Sequence, residues 1–494
     1  ERGYEVMPEL SILSQLLPAS PDVIITLLSE YGTMSFTEIA SYAIETAREG
    51  FPIHYSMKDN LSFSLIERIG LSILLPYNSQ VYIKGQWWDD IYLGDRFTRP
   101  DLANTFELMT QVEQDALAAG GTREDGLQAV RDLFYQGDIA ETIVQFHEES
   151  GGLFTREDLA NYSGYWEEPT TGQYNEYTIY TNGPWNQGIV VVEALQILEG
   201  IDLAAMGHNS PEYIHTVTQA IELAMSDRDT YAGDPEFVDV PLDVLTSEDY
   251  AQQRREMMTP NQAFPQLPPP GQIEGYNAYV PPRVDSAEIA QAPLFNNTIL
   301  IGQDTSHLAI IDSQGNAISM TPSDFPQTPM VPGTGLTLGN RMIQFRLDEN
   351  HVNHLEPGKR PRITPHAVII FRDGEFWMAY GTPGGDTQPQ ALIQVFLNMA
   401  VFGMDVQEAI NAPRFRTVSH ENSFSPHESS PHTLHLESSI YQTAAEQLEA
   451  MGYIVKEFDD WHPSAFGAVG AVLREGDRLL AGSDPRENTW AMGK

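Results

Sequence analysis

The spacing of apolar residues is helical in the first part of the chain. In residues 30–50, apolar side chains recur every three or four positions and form one stripe, which predicts a helix. Residues 101–165 show the same spacing in several shorter stretches, and residues 211–231 show it over one longer stretch. The first half of the chain is therefore predicted to be mostly helical.

Strand-like patterns follow a segment that is rich in proline. Residues 259–285 combine proline with glycine, glutamine and asparagine, which indicates an extended linker or a surface loop. Residues 305–321 then read as two short strands joined by a turn, and residues 367–380 read as a second hairpin. A helix is expected over about 389–402, ahead of Gly403. Helices followed by hairpins predict a layered fold of helices and sheets.

Composition narrows the range of functions. The 494 residues include 69 acidic and 27 basic ones, so the formal net charge is −42. This acidic protein is not expected to bind nucleic acid or an anionic membrane, because both need basic residues. The absence of cysteine excludes disulfides, thiol catalysis and thiolate-bound metals. No apolar run approaches the roughly 20 residues of a membrane-spanning helix.

The start of the sequence gives no location. It begins at Glu1 rather than methionine and lacks the apolar core of a signal peptide. We therefore expect a processed start or a fragment, and the sequence favours neither a cytoplasmic nor a periplasmic or extracellular location.

Two adjacent glycines lie between a predicted strand and a predicted helix. At such a junction the first backbone N–H groups of the helix have no intrahelical partner, and the helix dipole favours negative charge. Gly384 and Gly385 would let a reacting group approach the backbone closely, as an oxyanion hole requires. The alternative is a tight turn without a chemical role. A phosphate-binding loop is less favoured, because its Gly-Lys-Ser/Thr ending is absent.

Thr305 begins the first predicted hairpin. The hydroxyl of an internal threonine is a poor nucleophile, whereas a threonine at a chain N-terminus can use its own amine as the base. Cleavage of the bond between Asp304 and Thr305 would create that arrangement. From the spacing alone, an ordinary strand residue is the competing interpretation.

Four histidines cluster in a serine- and glutamate-rich segment. A metal site would need these side chains to converge with supporting hydrogen bonds, and we expect a solvated loop without metal instead. The four are His420, His427, His432 and His435.

Six short motifs occur in a fixed order in the second half of the chain. They are Thr305-Ser306-His307, Asp312–Ala317, Pro357–Pro361, Gly381–Gly385, Asn411–Phe415 and Gly482–Arg486. This series resembles the small subunit of γ-glutamyltranspeptidases. Stretches at 186–188, 213–215 and 227–235 resemble the large subunit, so the resemblance covers nearly the whole chain.

The resemblance implies an α+β protein with the N-terminal-nucleophile hydrolase fold, an αββα sandwich. It implies a precursor that cuts itself between Asp304 and Thr305. Residues 1–304 would form a large-subunit-like segment that ends in the proline-rich linker near 259–285, and residues 305–494 the small-subunit-like segment. The two segments would associate, and a dimer of that pair is one further assembly.

The resemblance also assigns roles to individual residues. Thr305 corresponds to the nucleophile, and Ser323 to a hydroxyl residue that hydrogen-bonds it and assists self-cleavage. Gly384 and Gly385 match the glycines of the oxyanion hole. The implied substrate is a small amide or a γ-glutamyl-type compound, and the chemistry requires neither a cofactor nor a metal.

The sequence departs from the family at the substrate site. Where the family holds the glutamyl α-amine with Asn, Gln and Asp, this chain has Phe325, Arg341 and Gln344. A double serine is missing near Arg362, and the family's arginine for the α-carboxylate is absent unless Arg2 replaces it.

With these departures, the sequence resembles a divergent branch of the γ-glutamyltranspeptidase family, which contains amidohydrolases and acylases. We expect an acyl substrate that carries a carboxylate, with Arg341 or Arg362 as its anchor. A genuine γ-glutamyltransferase or glutathione hydrolase is the alternative, and a non-catalytic binding or scaffold relative is the second.

Overall fold

The computed structural model describes residues 3–4, 6–83, 88, 90–285, 305–323, 328–462 and 465–493. Helices dominate the first part, as predicted, and recur after the glycine pair. The α-helices are Ser20–Tyr31, Phe36–Glu49, Tyr55–Asn60, Leu65–Leu74, Pro76–Tyr82, Pro100–Ala118, Arg123–Tyr135, Asp138–Ser150, Arg156–Asn161, Ile189–Leu198, Leu203–Met206, Pro211–Tyr231, Leu242–Leu245, Glu248–Arg255, Gln388–Ala400, Val406–Asn411 and Ser438–Ala450. Short 3-10 helices occupy Ile12–Ser14, Arg341–Gln344 and Gly385–Thr387. Within the described ranges, no helix is both long and apolar enough to cross a bilayer.

The helix predicted over 30–50 begins later than expected, at Phe36. Ser35 precedes it with an extended backbone, and its side chain accepts a hydrogen bond from the backbone N–H of Glu38. The Glu38 carboxylate accepts the backbone N–H of Ser35 in return. This capping box satisfies the first N–H groups of the helix and so fixes its start.

A six-stranded sheet forms the centre of the fold, and neighbouring strands are antiparallel. In spatial order its strands are Arg478–Ser483, Gly470–Glu475, Glu375–Gly381, Val368–Arg372, Tyr177–Thr181 and Thr170–Tyr174. The two middle strands are the predicted hairpin at 367–380. The last two strands come from residues 1–304, so both halves of the chain build one sheet.

The smaller sheets surround this centre. A three-stranded sheet is made of Phe415–Thr417, Thr433–Glu437 and Ile454–Phe458. The hairpin predicted at 305–321 is confirmed, with strands Leu308–Ile311 and Ala317–Met320. The other strand pairs are Phe51–Pro52 with Arg96–Phe97, Met330–Val331 with Leu336–Thr337, and Val284–Asp285 with Glu428–Ser429.

Three helices contribute to the main core: Ile189–Leu198 and Gln388–Ala400 pack against the six-stranded sheet, and Pro211–Tyr231 packs against Ile189–Leu198. Every residue of Ile189–Leu198 is buried, as are nearly all residues of Pro211–Tyr231 and Gln388–Ala400. The Tyr177 ring meets the Phe396 ring edge to face at 5.1 Å. A helix that is buried on all sides is held by its surroundings rather than by an amphipathic stripe. The helix after the glycine pair is therefore anchored in the core.

The proline-rich segment has the irregular backbone expected of an extended linker or surface loop, and part of it is buried. From 259 to 283 it forms neither helix nor strand, but it packs against the body of the protein. Leu267 is 3% exposed, and Ala263 and Ile273 are also buried. The Ala263 N–H donates to the Met451 carbonyl. Prolines remove backbone donors, so the segment can lie buried with fewer N–H groups to satisfy.

Candidate active site

Thr305 and Ser323 stand side by side at the open end of the first hairpin. The two residues form an antiparallel bridge, and the neighbouring Ser306 N–H donates to the Pro322 carbonyl at 2.8 Å. The Oγ1 of Thr305 lies 2.7 Å from the Oγ of Ser323, a normal hydroxyl–hydroxyl hydrogen bond. Two residues that are 18 positions apart in sequence are thus joined through both backbone and side chain.

Arg341 extends this pair towards an aromatic ring. It is 4% exposed and begins the 3-10 helix Arg341–Gln344. Its guanidinium donates to Ser323 Oγ and lies 5.3 Å from the centroid of the Phe424 ring. Arg341 therefore contacts the candidate pair and an aromatic face at the same time, as cation–π stacking permits.

The glycine pair forms a turn that only flexible residues adopt readily. Gly384 has φ +128° and Gly385 has φ +56°, both in the region that disfavours side chains. A Cβ at Gly385 would meet the Phe424 ring at 3.3 Å. Gln187 fixes the turn by hydrogen bonds: its Nε2 donates to the carbonyl of Gly385 at 2.7 Å and to the carbonyl of Thr364 at 3.0 Å.

The hairpin that carries Thr305 packs on the strand that leads into this turn. Ser319 Oγ donates to the Tyr380 carbonyl at 3.0 Å, and the His307 ring fills the space where a Cβ on Gly381 would stand. Burial lowers the pKa of His307 to about 4, so its ring is neutral at neutral pH. Thr305 and the glycine turn accordingly lie at the same end of the sheet.

A buried ionic network supports the turn. Asp386, next to Gly385, accepts hydrogen bonds from the Ser423 N–H at 2.7 Å and hydroxyl at 2.5 Å, and pairs with Arg228 at 2.5 Å. Burial raises the pKa of Asp386, but Arg228, His420 and the Ser423 hydrogen bonds outweigh it and hold that pKa far below its usual range. Asp386 is therefore ionised at any ordinary pH.

The predicted substrate residues divide between two environments. Gln344 is fully buried; its Nε2 donates to Thr364 Oγ1 at 3.2 Å, while its Oε1 is buried and accepts from no residue that the structure describes. Arg362 belongs to the network behind the turn, 3.4 Å from Asp229 and 3.3 Å from Ser423 Oγ. Burial and the nearby Arg228 lower the pKa of Arg362 to about 9. Phe325, Asp304 and Arg2 lie outside the described residues.

The histidine cluster is not a solvated loop, and that expectation is wrong. His420 and His427 are buried, and each pairs with backbone carbonyls of its own segment. His432 contacts the Phe264 carbonyl, and His435 contacts Arg416. In the described part of the chain, no three histidines or acids come together as metal ligands.

Gln187 and Arg228 lie within the stretches at 186–188 and 227–235, and Asp386 directly follows the Gly381–Gly385 motif, but the sequence assigned no role to any of the three. None of them stands out locally, because Arg228 is flanked by Asp227 and Asp229, and Asp386 by Gly385 and Thr387. Ser423 and Phe424 carried no local signal either. Their importance follows from contacts with residues that are far away in the sequence.

Comparison with known proteins identifies the family. The family model of gamma-glutamyltranspeptidase matches residues 1–493. The glutathione hydrolase-like YwrD proenzyme of Bacillus subtilis (strain 168) is 28% identical over 499 residues, covering 100% of this chain and 83% of that protein. The solved structure of LmbA2991HD has a TM-score of 0.87 at 30% identity, over 98% of this chain and 82% of that one. Cephalosporin acylase from Bacillus halodurans has a TM-score of 0.78 at 25% identity, over 98% and 79%.

The expectations drawn from the six motifs are confirmed at the level of family and fold. The match spans the chain, and the structural relatives share its arrangement of helices and sheets. The chain belongs to the gamma-glutamyltranspeptidase family, whose members are amide hydrolases and acyltransferases with the N-terminal-nucleophile fold.

Proposed function

We propose that this protein cuts itself before Thr305 and then uses Thr305 to cleave an amide through an acyl-enzyme. The observation that carries the proposal is the 2.7 Å contact between the hydroxyls of Thr305 and Ser323, at the end of the sheet where the Gly384–Gly385 turn lies. A nucleophile, a hydroxyl that orients it and a flexible glycine turn are the parts that this chemistry needs.

Self-cleavage begins at the Thr305 hydroxyl. Its oxygen attacks the carbonyl carbon of Asp304, the C–N bond breaks and the nitrogen takes a proton, which leaves an ester. The same step frees the Thr305 amine. Water then hydrolyses the ester, which leaves a carboxylate on Asp304 and restores the Thr305 hydroxyl. Ser323 holds the Thr305 oxygen in place for its attack on the Asp304 carbonyl.

Substrate cleavage uses the new amine as the base. The amine takes the proton of the Thr305 hydroxyl, and the oxygen attacks the amide carbonyl. Backbone N–H groups at Gly384 and Gly385 stabilise the resulting oxyanion, an effect worth roughly 3–4 kcal/mol per donor. The amine product leaves with the proton, and water or a second amine then accepts the acyl group from Thr305.

The substrate is an acyl amide that carries a carboxylate and lacks an α-ammonium group. Arg341 supports this choice, because its guanidinium donates a hydrogen bond to Ser323, and Ser323 in turn contacts the Thr305 hydroxyl. Arg362 is a weaker candidate, since its guanidinium already lies against Asp229. A fixed cation attracts a carboxylate and repels an ammonium.

A second candidate is γ-glutamyl transfer or glutathione hydrolysis, and several relatives are named as glutathione hydrolases. Gln344 favours it, because its buried Oε1 could accept a hydrogen bond from an ammonium. A neutral oxygen lacks the charge that the family's aspartate would supply, so we rank this candidate second. Dimerisation of the protein formed by the cleaved segments 1–304 and 305–494 stays a prediction.

Mass spectrometry of the purified protein tests the proposal. We expect two fragments of about 304 and 190 residues, and one uncut, inactive chain for Thr305→Ala. An uncut wild-type chain without amidase activity would favour the scaffold alternative. Normal processing in Thr305→Ala would move the nucleophile elsewhere, with Ser306 as the first residue to test.

A further inference from the structure

The segment 423–425 connects the two halves of the candidate active site. We call these three residues the clasp. On one side, Ser423 gives its N–H and hydroxyl to Asp386, the residue after Gly385. On the other side, the Ser425 N–H donates to the Ile343 carbonyl at 2.8 Å, within the 3-10 helix that begins with Arg341. The clasp is thus tied to the glycine turn and to the arginine turn at once.

Phe424 occupies the gap between these two attachments. Its ring lies under the Arg341 guanidinium, 5.3 Å from ring centroid to the guanidinium carbon. The same ring stands 3.3 Å from the position of a Cβ on Gly385. One aromatic side chain therefore spaces the glycine turn from the residue that contacts Ser323.

The attachment at Asp386 is rigid and charged. Ser423 is fully buried, and Asp386 also pairs with the buried Arg228. Hydrogen bonds to a carboxylate are roughly twice as strong as neutral ones, and Gln187 links the same arginine to the Gly385 carbonyl through 2.8 Å and 2.7 Å bonds. A shift of Asp386 would move Gly385 and the clasp together.

We propose that Asp386 and Ser423 are positioning residues, which act through Phe424 to set the distance between the glycine turn and the Thr305–Ser323 pair. The inference rests on the proposed function, because it assumes that the oxyanion forms at the glycines. It adds a group of residues that touch neither the substrate nor the nucleophile and yet control the rate. An oxyanion exists only in the transition state and the intermediates that resemble it, so a misplaced turn lowers kcat and leaves KM nearly unchanged.

The test compares Ser423→Ala with Ser425→Ala. The Ser425 hydroxyl is also buried and belongs to the same segment, but it donates to the Met7 carbonyl at 3.2 Å, away from the glycine turn. We expect Ser423→Ala to lower kcat for a glutaryl anilide about 10-fold with KM within twofold. Ser425→Ala keeps the backbone bond to Ile343, which is the only part of Ser425 that the clasp uses, and should leave kcat and KM near wild type. Phe424→Leu, which keeps both backbone attachments, is expected to lower kcat and also to raise KM, because Arg341 loses its ring.

Mass spectrometry of the small fragment during turnover tests the proposed function separately from the positioning role. An acyl adduct on Thr305 in the wild type supports the proposed function, and an adduct on another residue, or amidase activity that persists in Thr305→Ala, overturns that function. With the adduct present, wild-type kcat in both Ser423→Ala and Phe424→Leu overturns the positioning role. Equal losses in Ser423→Ala and Ser425→Ala overturn it as well, since that result indicates general packing. If Ser423→Ala does not fold, by far-UV circular dichroism, Phe424→Leu decides.

Discussion

Ser323→Ala isolates the contact on which the proposed chemistry depends. The substitution removes one oxygen, which lies 2.7 Å from Thr305 Oγ1 and accepts a hydrogen bond from Arg341. The backbone bridge between residues 305 and 323 has no need of that oxygen and should persist. The variant therefore keeps the nucleophile in place but no longer fixes its side-chain rotamer.

The size of the effect follows from the two lost hydrogen bonds. A neutral hydroxyl pair contributes about 1 kcal/mol, and a bond from a charged donor about 1.5–3 kcal/mol. Only the part of this energy that is specific to the transition state slows the reaction, so we expect a loss of roughly 1–3 kcal/mol. That range corresponds to about 5- to 150-fold. The variant should process and turn over slowly, whereas Thr305→Ala should do neither.

The assay follows the appearance of the 190-residue fragment in freshly purified protein and then measures kcat on the cleaved enzyme. Ser323→Thr restores a hydroxyl and should recover most of both rates. Ser319→Ala is the matched control, because this serine lies on the same hairpin and donates to the Tyr380 carbonyl instead. Wild-type rates in Ser323→Ala, or an equal loss in Ser319→Ala, would refute the reasoning.

Three further predictions concern substrate and pH. We expect a glutaryl anilide to give a higher kcat/KM than a γ-glutamyl anilide; the reverse order would contradict the carboxylate argument and make Asp324, outside the described residues, the next position to mutate. Arg341→Met should raise KM for the glutaryl anilide about 10-fold or more and change KM for an acetyl anilide much less, and equal changes would exclude an anchoring role. Burial raises the pKa of Glu222 to about 7, against hydrogen bonds from Thr417 and Ser419 that lower it. Its stabilising contribution is thus complete below the unfolded pKa near 4.5 and is lost as pH rises to about 7. In the uncut Thr305→Ala background, Glu222→Gln should therefore gain on the order of 3 kcal/mol relative to its parent between pH 4.5 and pH 8 in urea unfolding, and a pH-independent difference would show that the carboxyl is not protonated when folded.

Local pattern predicted the elements that carry the site. The hairpins at 305–321 and 367–380 and the helix after the glycine pair were each recognisable, because alternation, turn residues and helical spacing all act over short distances. The structure has the helix at Gln388–Ala400, within two residues of the expected bounds. The start at Phe36 was missed because the capping serine decides it and the apolar stripe does not.

Long-range polar contacts could not be predicted in the same way. The bond between Arg228 and Asp386 joins residues 158 positions apart, and Gln187 reaches Gly385 across 198. Neither partner constrains the local pattern of the other, so a single sequence does not show which distant polar residues form hydrogen bonds or ion pairs with each other. The sequence also does not give the backbone conformation of Gly385. In the structure its φ is +56°, a value that residues with a side chain rarely adopt.

The choice between Arg341 and Arg362 shows what only the fold can decide. Both are arginines in the same half of the chain, both are buried, and the sequence offered either as the carboxylate anchor. A buried ion pair is costly to break, because removing one charge leaves the other unpaired in a low-dielectric interior. Arg362 lies against Asp229 behind the glycine turn, so binding a substrate carboxylate would disturb that pair. Arg341 donates to Ser323 itself, and a substrate bound by Arg341 would be held within reach of the nucleophile. Under the proposed mechanism, the same contact with Ser323 would also help to orient Thr305, so substrate binding and orientation of the proposed nucleophile would depend on one side chain.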